Sequence, residues 1–190
     1  MSEADKTHNA PRRLHLGCGE YVMPGWVNHD MAALPGVDVV CDLAARPWPF
    51  ADNEFDEVRM INVLEHLPDV LETMEELGRI TKPGARLCLR VPYWNARDTA
   101  TDPTHKSSFS EYSFDYFDVT TDLGRRRSYY SKARFHIDVK RYYLNFVFGS
   151  YSRFVCVTRP WLRALLSGLA RYFCGVIWAF EVELTNVKTS

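Results

Sequence analysis

The stretch Leu14-His15-Leu16-Gly17-Cys18-Gly19-Glu20 decides the fold when it is read with Trp26-Val27-Asn28-His29-Asp30 just after it. Apolar Leu14 and Leu16 make a short strand that runs into a Gly-x-Gly turn. Such a turn lets a ligand approach the backbone where any β-carbon would clash. The second strand, Trp26 to Asp30, ends on an acid, which at that place suits the hydroxyls of a ribose. Only the seven residues Glu20 to Trp26 occupy the connection. A parallel crossover normally takes a dozen or more, so the first crossover is expected to be a bare turn without a helix.

Working outward, residues Val37 to Cys41 read as a third strand, apolar enough to be buried. A turn at Ala51 to Glu54 precedes a fourth strand, Phe55 to Ile61. Pro68-Asp69 opens a helix with Val70, Leu71, Met74, Leu77 and Ile80 on one stripe. Pro83-Gly84 closes it, and Arg86 to Val91 is a fifth strand ending at Pro92. This rhythm predicts a parallel α/β sheet. Beyond Pro92 lies a long polar loop, Tyr93 to Ser110, of the kind that carries function in a compact domain. Phe135 to Val139 and Tyr142 to Phe148 are strand material, and Glu181 to Val187 alternates as a final strand. Trp161 to Phe180 reads as a core-facing helix running into a strand, with a peripheral membrane face as the alternative.

The 190 residues are expected to form one domain: a loose terminus at 1–11, a cofactor-binding half at 12–92 and an acceptor-binding half at 93–190. Hydrophobic content of 46% and charged content of 25% are those of a soluble globular chain. A net charge of -1 argues against nucleic acid as a partner. Arg163 and Arg171 interrupt the most apolar region, so no transmembrane segment is expected. Five cysteines, odd in number and without a C-x-x-C pair, fit a reducing, cytoplasmic address.

The turn continues Glu20-Tyr21-Val22, so the third glycine of a dinucleotide fingerprint is absent, and Glu20 would repel a pyrophosphate. A ligand with no phosphate and a positive centre fits better. Asp30 is the candidate ribose acid, or else a surface turn acid. Asp42 and Leu43, just past the third strand, would flank an adenine, or Asp42 caps a turn. Pro49-Phe50-Ala51-Asp52-Asn53-Glu54-Phe55-Asp56, then Asn62-Val63-Leu64-Glu65-His66-Leu67, then Glu75-Glu76-Leu77-Gly78-Arg79-Ile80-Thr81-Lys82-Pro83-Gly84 together resemble the methyltransferase type 11 family. The resemblance covers about residues 12–92. It implies a class I S-adenosylmethionine-dependent methyltransferase with a Rossmann-like α/β fold. The implied sheet has seven strands, mostly parallel, with an antiparallel last strand and helices on both faces. It also implies Asn62 beside the methionine moiety, with Gly17 and Gly19 beneath. The candidate cofactor contacts are therefore Gly17, Cys18, Gly19, Asp30, Asp42, Leu43, Asn62 and His66. Two departures stand out: His15 occupies a place where the family often has an acid, and the first crossover is short.

Methyl transfer to a hydroxyl needs its proton removed near the methyl group. In the loop after the fifth strand, His105 is the candidate general base and Asp102 its orienting acid; the alternative is a loop-capping histidine and a turn-starting aspartate. His136 is a second catalytic candidate. Some relatives carry Glu-x-x-Glu-His at the Asn62–His66 position and bind a divalent metal; here the first acid is an amide, and no metal is expected. Arg125, Arg126, Arg127, Lys132, Arg134, Lys140 and Arg141 form a basic stretch, either a solvated face or a contact for a phosphate-bearing acceptor. The expected activity is methylation of an oxygen, less so a nitrogen, of a small molecule such as a sugar or secondary metabolite. RNA methylation and a non-catalytic partner protein are the rivals.

Overall fold

The structure, a computed structural model, describes residues 10–148 and 151–188, without the side chains of 145–154. Most of the expected loose terminus, 1–9, lies outside the described residues. One sheet of eight strands organises the chain: β1 (Arg13–Leu16), β2 (Val27–Asp30), β3 (Val39–Val40), β4 (Phe55–Ile61), β5 (Thr81–Pro92), β6 (Phe135–Phe148), β7 (Tyr151–Val157) and β8 (Ala179–Asn186). Their order is β3-β2-β1-β4-β5-β8-β6-β7. Strands β1 to β5 pair in parallel, and β8 runs antiparallel to both β5 and β6. The expectation of a mostly parallel sheet closed by an antiparallel last strand holds. The eighth strand, β7, is a hairpin partner added to β6 at the edge.

Helix α1 (Val70–Ile80) forms where the stripe predicts it. Asp69 caps it by accepting from the Glu72 N–H at 2.9 Å. Two single-turn helices follow, α2 (Arg97–Thr101) and α3 (Asp122–Arg126), then α4 (Pro160–Ala170), which begins on a proline as helix starts allow. Alternation along the strands sends Leu14, Leu16, Val58, Met60, Leu87, Leu89, Val91, Phe180, Val182 and Leu184 to one face, all fully or almost fully buried. Both longer helices stand on that face. Asn186 donates to the Gly78 carbonyl of α1 at 3.1 Å, and the Tyr142 hydroxyl meets Ser167 of α4 at 2.6 Å.

The opposite face carries Arg13, His15, Glu57, Arg59, Arg86, Cys88, Arg90, Glu181 and Glu183. The expectation of helices on both faces is thus corrected. The connections β1–β2, β2–β3 and β3–β4 hold no α-helix, and the first lays the Trp26 ring under the Arg13 and Arg59 guanidiniums, each 5.8 Å from its centroid. Two further expectations change. The third strand is a two-residue edge with Val40 half exposed, because nothing among the described residues pairs beyond it. In α4, Leu162, Leu166 and Ala170 pack on the core while Trp161, Leu165 and Leu169 are exposed. The connection reverses direction between β1 and β4, and open α/β sheets take ligands at such a reversal, outside the carboxyl ends of the strands.

Candidate cofactor and acceptor site

Gly17 closes β1 with φ +64°, and a β-carbon there would lie 2.2 Å from Val63 Cγ2, so no side chain fits without movement. The Gly19 N–H donates to Asp30 Oδ2 at 2.8 Å and the Ala32 N–H to Oδ1 at 3.0 Å. The carboxylate is thereby fixed at the end of β2, and each oxygen keeps capacity to accept from a diol. Behind it, the His29 ring bridges the Gly17 N–H (3.4 Å) and the Cys41 carbonyl (3.1 Å). Cys18 is buried, and burial pushes its thiol up, so it packs rather than reacts. Across the reversal, Asn62 sits at φ +53°, a left-handed conformation that a non-glycine residue seldom adopts and that clusters at functional sites.

A cavity of about 740 Å³ is lined by Gly17, Asp30, Asp42, Leu43, Asn62 and His66. Asp42 turns the chain by accepting from the Ala44 N–H at 2.8 Å, and Leu43 is buried beside Trp48, whose indole donates to the Leu43 carbonyl. A second cavity of about 650 Å³ adjoins at Gly17 and Asn62 and adds Cys18, Gly19, His15 and Arg59. Both are of ligand-binding size. Arg59 is a residue the sequence reading missed: it projects from β4 with its Nε buried and unpartnered. The alternation of Phe55–Ile61 was the available signal. Burial first, and the Arg59 charge second, lower the His15 pKa, so the imidazole stays neutral where an acid was to be expected.

A smaller cavity of about 180 Å³ shares Asn62 and His66 with the first and is lined by Glu65, Asp98, Asp102, His105 and Trp178 as well. The loop after β5 folds over it because the Lys106 and Ser107 N–H groups donate to the Glu65 carbonyl at 2.8 and 3.2 Å. One potential ligand atom from each of Glu65, His66 and His105 lies within 4.8 Å of the others. Glu65 is almost wholly buried, neither carboxylate oxygen has a hydrogen-bond partner, and burial pushes the carboxyl up to about 7. Asp102 does not orient His105. Its carboxylate accepts from the Thr104 N–H and hydroxyl, while the His105 Nδ1 lies 3.2 Å from the Thr99 carbonyl. His136 is not brought to the site: it pairs with Thr185 opposite Arg86, about 20 Å along the strands from Pro92, and its Nδ1 lies 3.3 Å from Asp118.

The basic stretch is largely engaged within the chain. Arg125 and Arg126 meet Asp122, Arg134 donates to the Ser128, Ser131 and Ala133 carbonyls, Lys140 meets Asp115, and Arg141 meets Glu181 and Glu183. It reads as structure rather than as a phosphate cradle.

Residues 14–89 match the family described as "Methyltransferase domain". The fold is that of the class I methyltransferases. A S-adenosylmethionine-dependent methyltransferase of Archaeoglobus fulgidus superposes with TM-score 0.60 at 15% identity, covering 94% of this chain and 87% of that one. The YcgJ protein of Bacillus subtilis gives 0.57 at 15% identity, covering 97% and 96%. Among curated proteins, the demethylmenaquinone methyltransferase of Staphylococcus saprophyticus is 38% identical over 65 residues, 34% of this chain and 25% of that protein. The matched segments span a quarter or less of these curated relatives' own length. The cofactor implied by this match is S-adenosylmethionine. The backbone cradle at Gly17 and the fixed acid at Asp30 fit it. Among the described residues no helix is long and apolar enough to cross a membrane, and the five cysteines are free thiols.

Proposed function

We propose that the protein methylates an oxygen of a small molecule, using S-adenosylmethionine as donor. The observation that carries this reading is the junction at Asn62 and His66, where a cofactor-sized cavity opens into a pocket lined by the unpartnered Glu65 carboxylate and two imidazoles. The cofactor supplies an electrophilic methyl group on a sulfonium. Asp30 accepts from the ribose hydroxyls, Asp42 and Leu43 flank the adenine, and Gly17 and Gly19 let the backbone close on the remainder. Arg59, which lines the same cavity as Gly19, offers a cation for the methionine carboxylate.

The acceptor enters from the loop after β5, and the Glu65–His66–His105 cluster promotes the loss of its hydroxyl proton. A sugar or secondary metabolite with a free hydroxyl suits the cavity of about 180 Å³, and an oxygen acceptor needs this deprotonation more than an amine does. Calorimetric titration with adenosylhomocysteine tests the donor site. Saturable binding is expected, and Asp30→Ala weakens it roughly 10- to 100-fold, the worth of charge-assisted hydrogen bonds. Binding by the wild type that Asp30→Ala leaves unchanged would remove Asp30 from the site. With an acceptor in hand, His105→Ala lowers turnover by roughly 10² or more.

A further inference from the structure

We infer that Glu65, His66 and His105 form a binding site for a divalent first-row transition ion. Proximity is the first ground: one potential ligand atom from each lies within 4.8 Å of the other two, so small side-chain rotations close the set around one ion. The second ground is Glu65. Its carboxylate is almost wholly buried, faces the two imidazoles and has no hydrogen-bond partner on either oxygen. A buried polar group left unpaired is costly unless something absent from the protein chain satisfies it.

The third ground is how the two imidazoles are held. The Thr104 hydroxyl donates to Asp102 at 2.6 Å, which commits its one proton; Thr104 Oγ1, 2.8 Å from His66 Nδ1, is then an acceptor. His66 must carry its proton on Nδ1. The His105 Nδ1 faces the Thr99 carbonyl at 3.2 Å, which can only accept. Both rings are therefore fixed in the tautomer that leaves the Nε2 lone pair free. Metal-binding histidines are held in this way, the other ring nitrogen donating to an oxygen behind it. The two rings stand edge to face with centroids 4.7 Å apart, and neither Glu65 oxygen has a hydrogen-bond partner. Asp102 and Thr104 thus act through His66, as positioning residues.

Two imidazoles and one carboxylate suit Zn²⁺, Mn²⁺, Fe²⁺ or Co²⁺, with coordination positions left open. On the proposed function above, which this part rests on, those positions take an acceptor offering two adjacent oxygens, such as a catechol or vicinal diol, and lower the pKa of the one to be methylated.

The test is titration of the metal-stripped protein with Co²⁺, read by calorimetry and by the visible absorption of the bound ion. Wild type is expected to bind one equivalent saturably, with bands of a mixed nitrogen–oxygen environment. His105→Ala and Glu65→Gln each weaken binding on the order of 100-fold, and Thr104→Val about 10-fold, with altered bands. His136→Ala, far from the cluster, leaves affinity unchanged. Absence of saturable binding by folded wild type overturns the site, as does unaltered affinity in both His105→Ala and Glu65→Gln. Adenosylhomocysteine titration of the same samples keeps the two readings apart: intact nucleoside binding without metal binding removes the ion and leaves the donor site standing.

Discussion

The two faces of the sheet are made by alternate residues of the same strands, yet they are held by different forces. On one face Leu14, Val58, Leu87, Leu89, Val182 and Leu184 are sealed beneath α1 and α4. On the other, Glu181 accepts from Arg90 at 2.6 Å and Arg141 at 3.1 Å, Arg141 reaches on to Glu183 at 2.6 Å, and the Arg90 guanidinium stacks 4.2 Å above the Tyr143 ring. Where the crossovers became too short to supply helices, the strands carry residues that satisfy one another instead. Hydrophobic burial secures the first face, and a charge lattice supplies order on the second. The site forms at the rim between them, where Gly17 and Asn62 line cavities shared by both sides.

The sharpest way to break this contrast is to cut each face once. Leu89→Ala, at a position with no exposure, is expected to cost about 2–5 kcal/mol, the range for emptying a packed leucine site. Chemical denaturation read by circular dichroism measures it, and a loss below about 1 kcal/mol would mean that the helices do not seal that face. Glu181→Ala ranks second. It leaves Arg90 and Arg141 short of their common acceptor, side chains that are themselves only about a quarter exposed. The expected loss is about 1–3 kcal/mol, and it should shrink with added salt, whereas the Leu89→Ala loss should not.

How far the sequence could be read follows from the same contrast. β1, β2, β4, β5 and α1 were legible because strand ends coincide with Gly17 and Asp30, and because Val70, Met74, Leu77 and Ile80 keep helical spacing after Asp69. The missing first helix was legible too, from chain length alone. The open face was not, since the resemblance implied two layers of helices. The strand Arg86-Leu87-Cys88-Leu89-Arg90-Val91 already alternated as a one-sided strand does. At the site, residues local to a turn were found, while Arg59, Thr99 and Thr104 escaped. Their roles depend on what another strand or loop places beside them, which spacing does not encode. His136 misled for the converse reason: a histidine in a strand segment gives no sign in the sequence of which end of β6 it occupies.

The smallest effect separates the faces by pH. Paired residues Leu16 and His29 point to the apolar face, His15 and Asn28 to the polar one, so each face holds one buried histidine. Burial is the chief cause lowering both pKa values, but for His15 the Arg59 charge adds to it, whereas for His29 the Cys41 carbonyl and Asp30 work the other way. A folded pKa below the unfolded value of about 6.5 means that the unfolded chain binds more protons as the pH falls. The stability these groups contribute is therefore full above about pH 7 and declines as the pH drops through about 6.5 toward the lowered folded values. His15→Gln should flatten that decline, and raising the salt in the wild type should reproduce part of the flattening by screening Arg59. His29 should not lose its share as the salt rises, because desolvation is not screened and screening Asp30 only removes an opposing effect. A decline between about pH 7.5 and pH 5.5 that survives His15→Gln undiminished would leave the effect to His29 and to His66, whose pKa burial also lowers, and the polar face would then be held without any cost in protonation.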